Sequence, residues 1–250
     1  MRCGGSVLGA VLAWIGLASV AACATESSLP DDENIYYAGV TEPIVLCAAS
    51  IDDKYGVTDD ELDRAIARAQ RHGRTLHLYA HDPGVTVSLA TIEHLLAAAA
   101  ARDAPLVPYT ALGSGGHAGS IALSFDDNAV ADWTAMRPLL TQYAAHVTFF
   151  VTRYLAMTDD EHAQLHQLAA DGHDIEYHTV SHQNAVDYVA ANGIDAYLAN
   201  EITPALDAMR ADGFEITEFA YPFGARSPEL DDALAPYFHH LRAIHSTCPR

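Results

Sequence analysis

From Pro43 onward, short apolar runs alternate with stretches whose apolar positions recur at helical spacing. Pro43 to Ala49 is a continuous apolar run, which predicts a strand buried on both faces. Thr58-Asp-Asp-Glu61 is a capping box, and Leu62, Ile66 and Ala69 keep helical spacing until Gly73. Thr75 to Ala80 predicts the next strand, and Ile92, Leu95, Leu96 and Ala99 the next helix. Pro105 to Tyr109 is the weakest strand candidate. Leu112 to Gly119, with four Gly in eight residues, has the composition of a linker. The alternation then restarts with strand Ile121 to Phe125, helix Trp133 to Tyr143 and strand His146 to Val151. A second capping box, Thr158-Asp-Asp-Glu161, opens a helix that Gly172 closes, and Ile175 to Tyr177 reads as a short strand. Ile194, Leu198, Ile202, Leu206 and Met209 mark an amphipathic helix that Pro204 is expected to kink or divide. Strand Ile216 to Tyr221, a helix near Glu229 to Leu234 and strand Phe238 to Ile244 bring the count to eight strand candidates. This pattern predicts an α/β fold closed as a parallel β/α barrel of 7 to 8 strands, with an open doubly wound sheet as the alternative.

Composition adds a core and a charge. Half of the 250 residues are apolar, enough to bury a single large domain. Against 33 carboxylates stand only 13 Lys and Arg, a net charge of -20 that argues against nucleic acid or an anionic polymer as partner. A neutral sugar or a cationic product is not opposed, and nothing in the composition speaks to oligomeric state.

The first residues form a separate object. Arg2 precedes an uncharged run from Cys3 to Thr25, the layout of an export signal, with an uncleaved membrane anchor as the alternative. Val20-Ala-Ala-Cys23 resembles the bacterial lipobox, in which cleavage precedes the Cys and that Cys carries the lipid. The expectation is a signal over 1–22, a lipid-anchored tether over 23–42 and a domain over 43–250, held at the bacterial cell envelope with Cys23 in the membrane. Cys47 and Cys248 then remain as an exported pair that could form a disulfide, with no framework to demand one.

Candidate chemistry centres on His178 and His182, which share a face if their segment is one helical turn. In a chain with 14 His the pair means little without a third ligand. Asp126 and Asp127 end a strand, where two carboxylates are costly to bury unless something positive is near. Asp31-Asp32, Asp59-Asp60 and Asp159-Asp160 read instead as solvated acidic turns. One carboxylate and two imidazoles give three ligands and leave a position for water, as in catalytic zinc sites, and the second carboxylate would take that water's proton.

Ser124-Phe-Asp-Asp127, His178-Thr-Val-Ser-His182 and Phe219-Ala-Tyr-Pro-Phe-Gly224 resemble the first three motifs of the polysaccharide deacetylases, the NodB-homology family of carbohydrate esterases. The resemblance implies a distorted β/α barrel that hydrolyses an N- or O-acetyl group on an acetylated polysaccharide with a metal's help. It implies Asp126 as general base and Asp127, His178 and His182 as ligands of Zn2+, or of Co2+ or Ni2+. It makes the Phe223 backbone N–H an oxyanion donor, with Tyr221 and Pro222 beside it on the substrate side. Hydrolysis of a small amide, or a glycan-binding lipoprotein without turnover, are the other readings.

The family's proton-donating His lies in a Leu-x-x-His motif downstream of the third motif, but only 26 residues follow Gly224 here, and His239 and His240 would face opposite ways. Leu78-Tyr-Ala-His81, upstream, resembles that motif and implies His81 as the acid. Asp52 or Asp53 would be its carboxylate partner. The reordered motifs imply a circular permutation: a late-motif half, 43–112, joined through Gly113 to Gly119 to an early-motif half, 120–250. The third motif departs from the family's Arg-x-Pro-Tyr, since Ala220 and Phe223 replace its Arg and Tyr; Arg226 is the nearby substitute for the Arg that orients the base.

Overall fold

A computed structural model describes residues 29, 33–38, 44–114 and 118–248. Its strands are β1 Tyr36–Tyr37, β2 Val45–Ser50, β3 Thr75–Ala80, β4 Ile121–Asp127, β5 Thr148–Val151, β6 Asp174–Tyr177, β7 Glu218–Ala220 and β8 His240–Ile244. From β2 to β8 each strand pairs in parallel with the next, and β8 returns to β2 with Val45 opposite Leu241 and Ala48 opposite Ile244. The result is a closed barrel of seven parallel strands wrapped by helices. Closure removes the exposed edges that an open sheet would leave. Strand alternation sorts the side chains: Leu123, Phe125, Phe149, Tyr177, Phe219 and Leu241 pack under the helices, whereas Leu46, Ala122, Phe150 and Ala220 meet inside the barrel.

The helices follow the sequence signals closely. Both capping boxes form, at Thr58 with Glu61 and at Thr158 with Glu161. Pro204 sits in the first turn of Thr203–Ala211, after a π-helical segment Leu198–Ile202 that divides the long amphipathic stretch. The expected helix Trp133 to Tyr143 is two shorter ones, Val130–Ala135 and Arg137–Gln142, because Pro138 opens the second.

Two expectations change. Pro105 to Tyr109 is not an eighth barrel strand, and makes only a bridge from Leu106 to Ile121. Pro105 and Pro108 lack the N–H groups a strand must donate. Instead Val107, Tyr109 and Leu112 plug the barrel's lower end against Leu46 and Phe150, with Tyr109 N donating to Thr148 Oγ1 at 2.9 Å. The packed unit also begins before residue 43, since Ile35 and Tyr36 are buried, β1 pairs antiparallel with β3, and Cys47 N donates to Tyr37 Oη at 2.8 Å. The expected signal, Cys23 and residues 115–117 of the Gly-rich join lie outside the described residues. Among the described residues, no helix is long and apolar enough to cross a membrane.

Candidate active site

β4 delivers Asp126 and Asp127 to the C-terminal mouth of the barrel, where β/α proteins assemble their chemistry. His178 follows β6 directly, tied to the neighbouring strand by its N–H to Val151 O at 3.0 Å. His178 to His182 is not a helical turn but a loop where strand β6 ends, so the two rings share no helix face. Thr179 and His182 take left-handed φ values of 71° and 60° and fold His182 back toward His178, leaving the ring centroids 4.9 Å apart. The loop is over-determined: His182 N donates to Thr179 Oγ1 at 3.0 Å, Ser181 N to Glu201 Oε2 at 2.9 Å, and Thr152 Oγ1 to Thr179 O at 3.0 Å. Buried Glu201, on the π-helical segment, is therefore the anchor of the second His. Left-handed backbone at Asp127 (84°), Thr179, His182 and Phe223 (59°) concentrates strain in one place, as working sites do.

Ligand atoms of Asp127, His178 and His182 all lie within 4.8 Å of one another, the only such group of three among the described residues. His178 Nδ1 donates to Ala220 O at 2.8 Å, which turns the Nε2 lone pair toward Asp127 Oδ1, 3.7 Å away. His182 Nε2 lies 3.1 Å from the same oxygen, yet Asp127 Oδ1 is buried without a hydrogen-bond partner. Burial holds the His178 pKa down to about 4, so this imidazole is neutral near pH 7. Burial works against ionised Asp127, but the two imidazoles outweigh it and hold its pKa at about 2. Two imidazole nitrogens and a carboxylate oxygen converge with nothing to share, an arrangement that a divalent cation would resolve.

Asp126, 3% exposed, forms an ion pair with Arg242 of β8, which is 1% exposed. The guanidinium lies between the rings of Tyr79 (4.8 Å) and Phe150 (5.3 Å). Only Asp126 Oδ2 is engaged, and Oδ1 has no hydrogen-bond partner. Arg242, then, supplies the cation that Ala220 cannot. Arg226 does not: it pairs with Asp231, which also accepts the Tyr221 hydroxyl at 2.9 Å. Arg242 lies far from the motifs in sequence, but a signal was there, since His240, Arg242 and Ile244 alternate with apolar Leu241 and Ala243, and an inward strand position occupied by Arg calls for a buried anion.

His81, just beyond β3, lines the same cavity as this cluster. Its Nδ1 lies 2.7 Å from Asp52 Oδ2, and its backbone N donates to Asp52 Oδ1 at 3.1 Å. Thr86 Oγ1 and Ser50 Oγ donate to the same buried carboxylate at 3.1 and 3.0 Å. Burial opposes the His81 charge, but the Asp52 hydrogen bond, reinforced by the charges of Asp126, Asp52 and Asp127, raises its pKa overall. Asp53 is not a second partner; its Oδ1 accepts from Ser88 N instead.

The third motif forms the opposite wall. Phe223 is 60% exposed, with its ring centroid 4.6 Å from that of His182. Gly224 has φ +63°, and a Cβ there would come within 2.9 Å of both Ile244 N and Thr247 Oγ1, so only Gly fits. Tyr221 and Phe223 line the cavity of about 630 Å3, whereas buried Pro222 does not. Cys47 and Cys248, left open as a pair by the sequence, form a disulfide with Cα atoms 6.1 Å apart beside this wall.

Residues 114–237 match the family model for polysaccharide deacetylase. That segment holds Asp126, Asp127, His178, His182 and the third motif; Asp52, His81 and Arg242 fall outside it. Among solved structures, the barrel resembles a candidate polysaccharide deacetylase, BA0330 of Bacillus anthracis, at a TM-score of 0.54 and 15% identity, covering 68% of this chain. The chain spans 56% of that protein. The deacetylase PplD of Streptococcus pyogenes aligns at 0.42 and 16% identity, over 71% of this chain and 68% of its own. IcaB of Ammonifex degensii aligns at 0.43 and 17% identity, over 80% and 84%. No curated protein matches by sequence. The segment that carries both aspartates, both histidines and the third motif is thus a polysaccharide deacetylase domain within this chain.

Proposed function

We propose that this protein is a metal-dependent hydrolase that removes acetyl groups from N-acetylated glycans at the cell envelope. The observation that carries the reading is the meeting, in one cavity, of the Asp127, His178, His182 cluster, Asp126 with one buried oxygen left without a hydrogen-bond partner, and the Asp52–His81 pair. The donor set suits zinc, with cobalt or nickel as close alternatives. Such an ion supplies Lewis acidity that polarises the acetyl carbonyl and acidifies water.

The rest falls to the chain's own groups. Asp126, its Oδ2 held by Arg242, presents Oδ1 to accept a proton from the attacking water. The Phe223 backbone N–H, set by a left-handed residue at the cavity wall, donates to the oxyanion as the carbonyl becomes tetrahedral. His81 directs Nδ1 at Asp52, leaving Nε2 to protonate the departing nitrogen. An amine leaves poorly without that proton, so a carboxylate-backed His favours amide over ester hydrolysis.

The test is acetate release from N-acetylglucosamine oligomers, peptidoglycan and acetylxylan fragments, with metal content measured alongside. Asp126→Asn is expected to abolish release while zinc stays bound; loss of zinc with activity, or no release from any acetylated glycan by the wild type, would refute the reading. The envelope location rests on the signal-like run before Cys23 and on the Cys47–Cys248 disulfide, a bond typical of exported proteins.

A further inference from the structure

The barrel holds a second cavity, of about 390 Å3, that shares no wall residue with the main one. Asp174 opens β6 and Thr217 precedes β7, so this cavity lies at the lower end, opposite Asp126 and His178. It sits where two strands part: β6 and β7 pair only at Tyr177 and Phe219, and below that point the Glu176 side chain takes the place of a backbone partner. Glu176 Oε2 accepts from Thr217 N at 3.0 Å and from Glu218 N at 2.7 Å. Its other oxygen, Oε1, is buried without a hydrogen-bond partner, on a residue that is 1% exposed and walls the cavity.

An orphaned carboxylate oxygen in this position calls for a positively charged donor. Burial, with the Glu218 carboxylate adding to it, raises the Glu176 pKa well above the usual range, so the protein alone gives the ionised form little support. No Lys or Arg stands on the wall. His173 does, but burial holds its pKa at about 4 and leaves it neutral near pH 7. The wall is not built for a metal ion either. Among the described residues, ligand atoms converge in threes only at Asp127, His178 and His182, and both oxygens of Asp174 already accept from Thr110 at 2.9 Å. An ammonium group brings three N–H donors, and beside Glu176 the wall offers further acceptors in Thr217 and exposed Glu215. Phe214, Ile175 and Ala169 add an apolar surface for a carbon chain, and the volume falls in the range of small-molecule pockets, roughly 300–1,000 Å3.

We propose that this lower cavity binds a small primary ammonium ion carried on an apolar chain, with Glu176 Oε1 as its anchor and Glu215 at its mouth. The site is separate from the Asp127, His178, His182 cluster, and its occupancy does not depend on the deacetylase reading.

NMR titration of the isotope-labelled full chain with n-butylammonium chloride, at constant ionic strength, reads the site without turnover. Saturable shifts are expected at Asp174, Glu176, Glu215 and Thr217, with Asp127 and His182 unmoved. Glu176→Gln keeps an acceptor for the Thr217 and Glu218 N–H groups and removes the charge, whereas Glu215→Lys puts a cation at the mouth from an exposed position. Each is expected to weaken binding about tenfold or more, with the circular dichroism unchanged. Tetramethylammonium, which has no N–H, should bind about tenfold more weakly than butylammonium. Shifts confined to the main cavity, saturation by calcium chloride but not by butylammonium, or equal binding of tetramethylammonium would overturn the proposal. So would wild-type affinity in folded Glu176→Gln, or in Glu215→Lys, which leaves the buried hydrogen bonds of Glu176 in place.

Discussion

Arg242 and Asp126 lie 116 positions apart and meet only because β8 and β4 both turn those residues into the barrel. A buried carboxylate is costly unless paired, and a guanidinium clamped between two rings fixes its direction as well as its charge. Arg242→Lys keeps a charge but loses the planar fork. The expected outcome is a fall in kcat of about a hundredfold with KM little changed, since general-base work contributes about 10²–10⁴. Wild-type kcat in that variant would remove Arg242 from the mechanism. The other pair sets the pH response. In the proposed mechanism the protonated form of His81 is the proton donor, and Asp52 raises its pKa, so activity should persist on the alkaline side until pH passes that raised value. In Asp52→Asn the support is gone, and the alkaline limb of the kcat/KM profile should move toward lower pH, with kcat/KM down about tenfold or more near neutrality. An unmoved limb would show that His81 is not the titrating acid. At this scale the candidate ligands were legible from the resemblance of their motifs, but their geometry was not, because a spacing of four does not distinguish a helical turn from a loop bent by Thr179 and His182.

At the scale of elements, the question is the order of the strands. His81 and Asp52 follow β3 and β2, upstream of the segment that matches the family, yet line the cavity with residues from β4, β6 and β7. β2 pairs with β8, which brings the beginning and end of the described barrel together, and Leu241 N donates to Ile44 O at 2.8 Å. We read this as support for a circular permutation joined through Gly113 to Gly119. A relinked chain, residues 118–248 followed by a flexible Gly-Ser linker and residues 33–114, should then fold, bind zinc and release acetate at rates within about tenfold of the parent, because the new junction would lie at a barrel surface. A relinked chain that stays unfolded by circular dichroism would count against permutation. The alternation of apolar runs made seven of the strands legible, whereas the plug of Val107, Tyr109 and Leu112 looked like an eighth until its prolines left it one bridge.

For the whole molecule, the disulfide ties strand β2 to the last described residue. Together with the N-terminal run it supports our proposal of export and lipid anchoring through Cys23. In bacterial expression, labelled palmitate should enter the wild-type chain and not Cys23→Ser, and the variant should leave the membrane fraction; equal labelling would sink the anchor. The net charge of -20 belongs to this scale too, and at the cavity rim it favours neutral or cationic glycans. By itself the sequence determined the β/α alternation and the two capped helices, because apolar periodicity and caps are local properties of the chain, whereas the Asp127, His178 and His182 set was implied by the resemblance of its motifs. Only the tertiary structure decided that seven strands close, that Arg242 rather than Arg226 holds Asp126, that Asp52 rather than Asp53 backs His81, and that Glu201 anchors the second His loop. Each of those pairings joins residues distant in sequence, and which inward side chains meet is set by barrel register and closure.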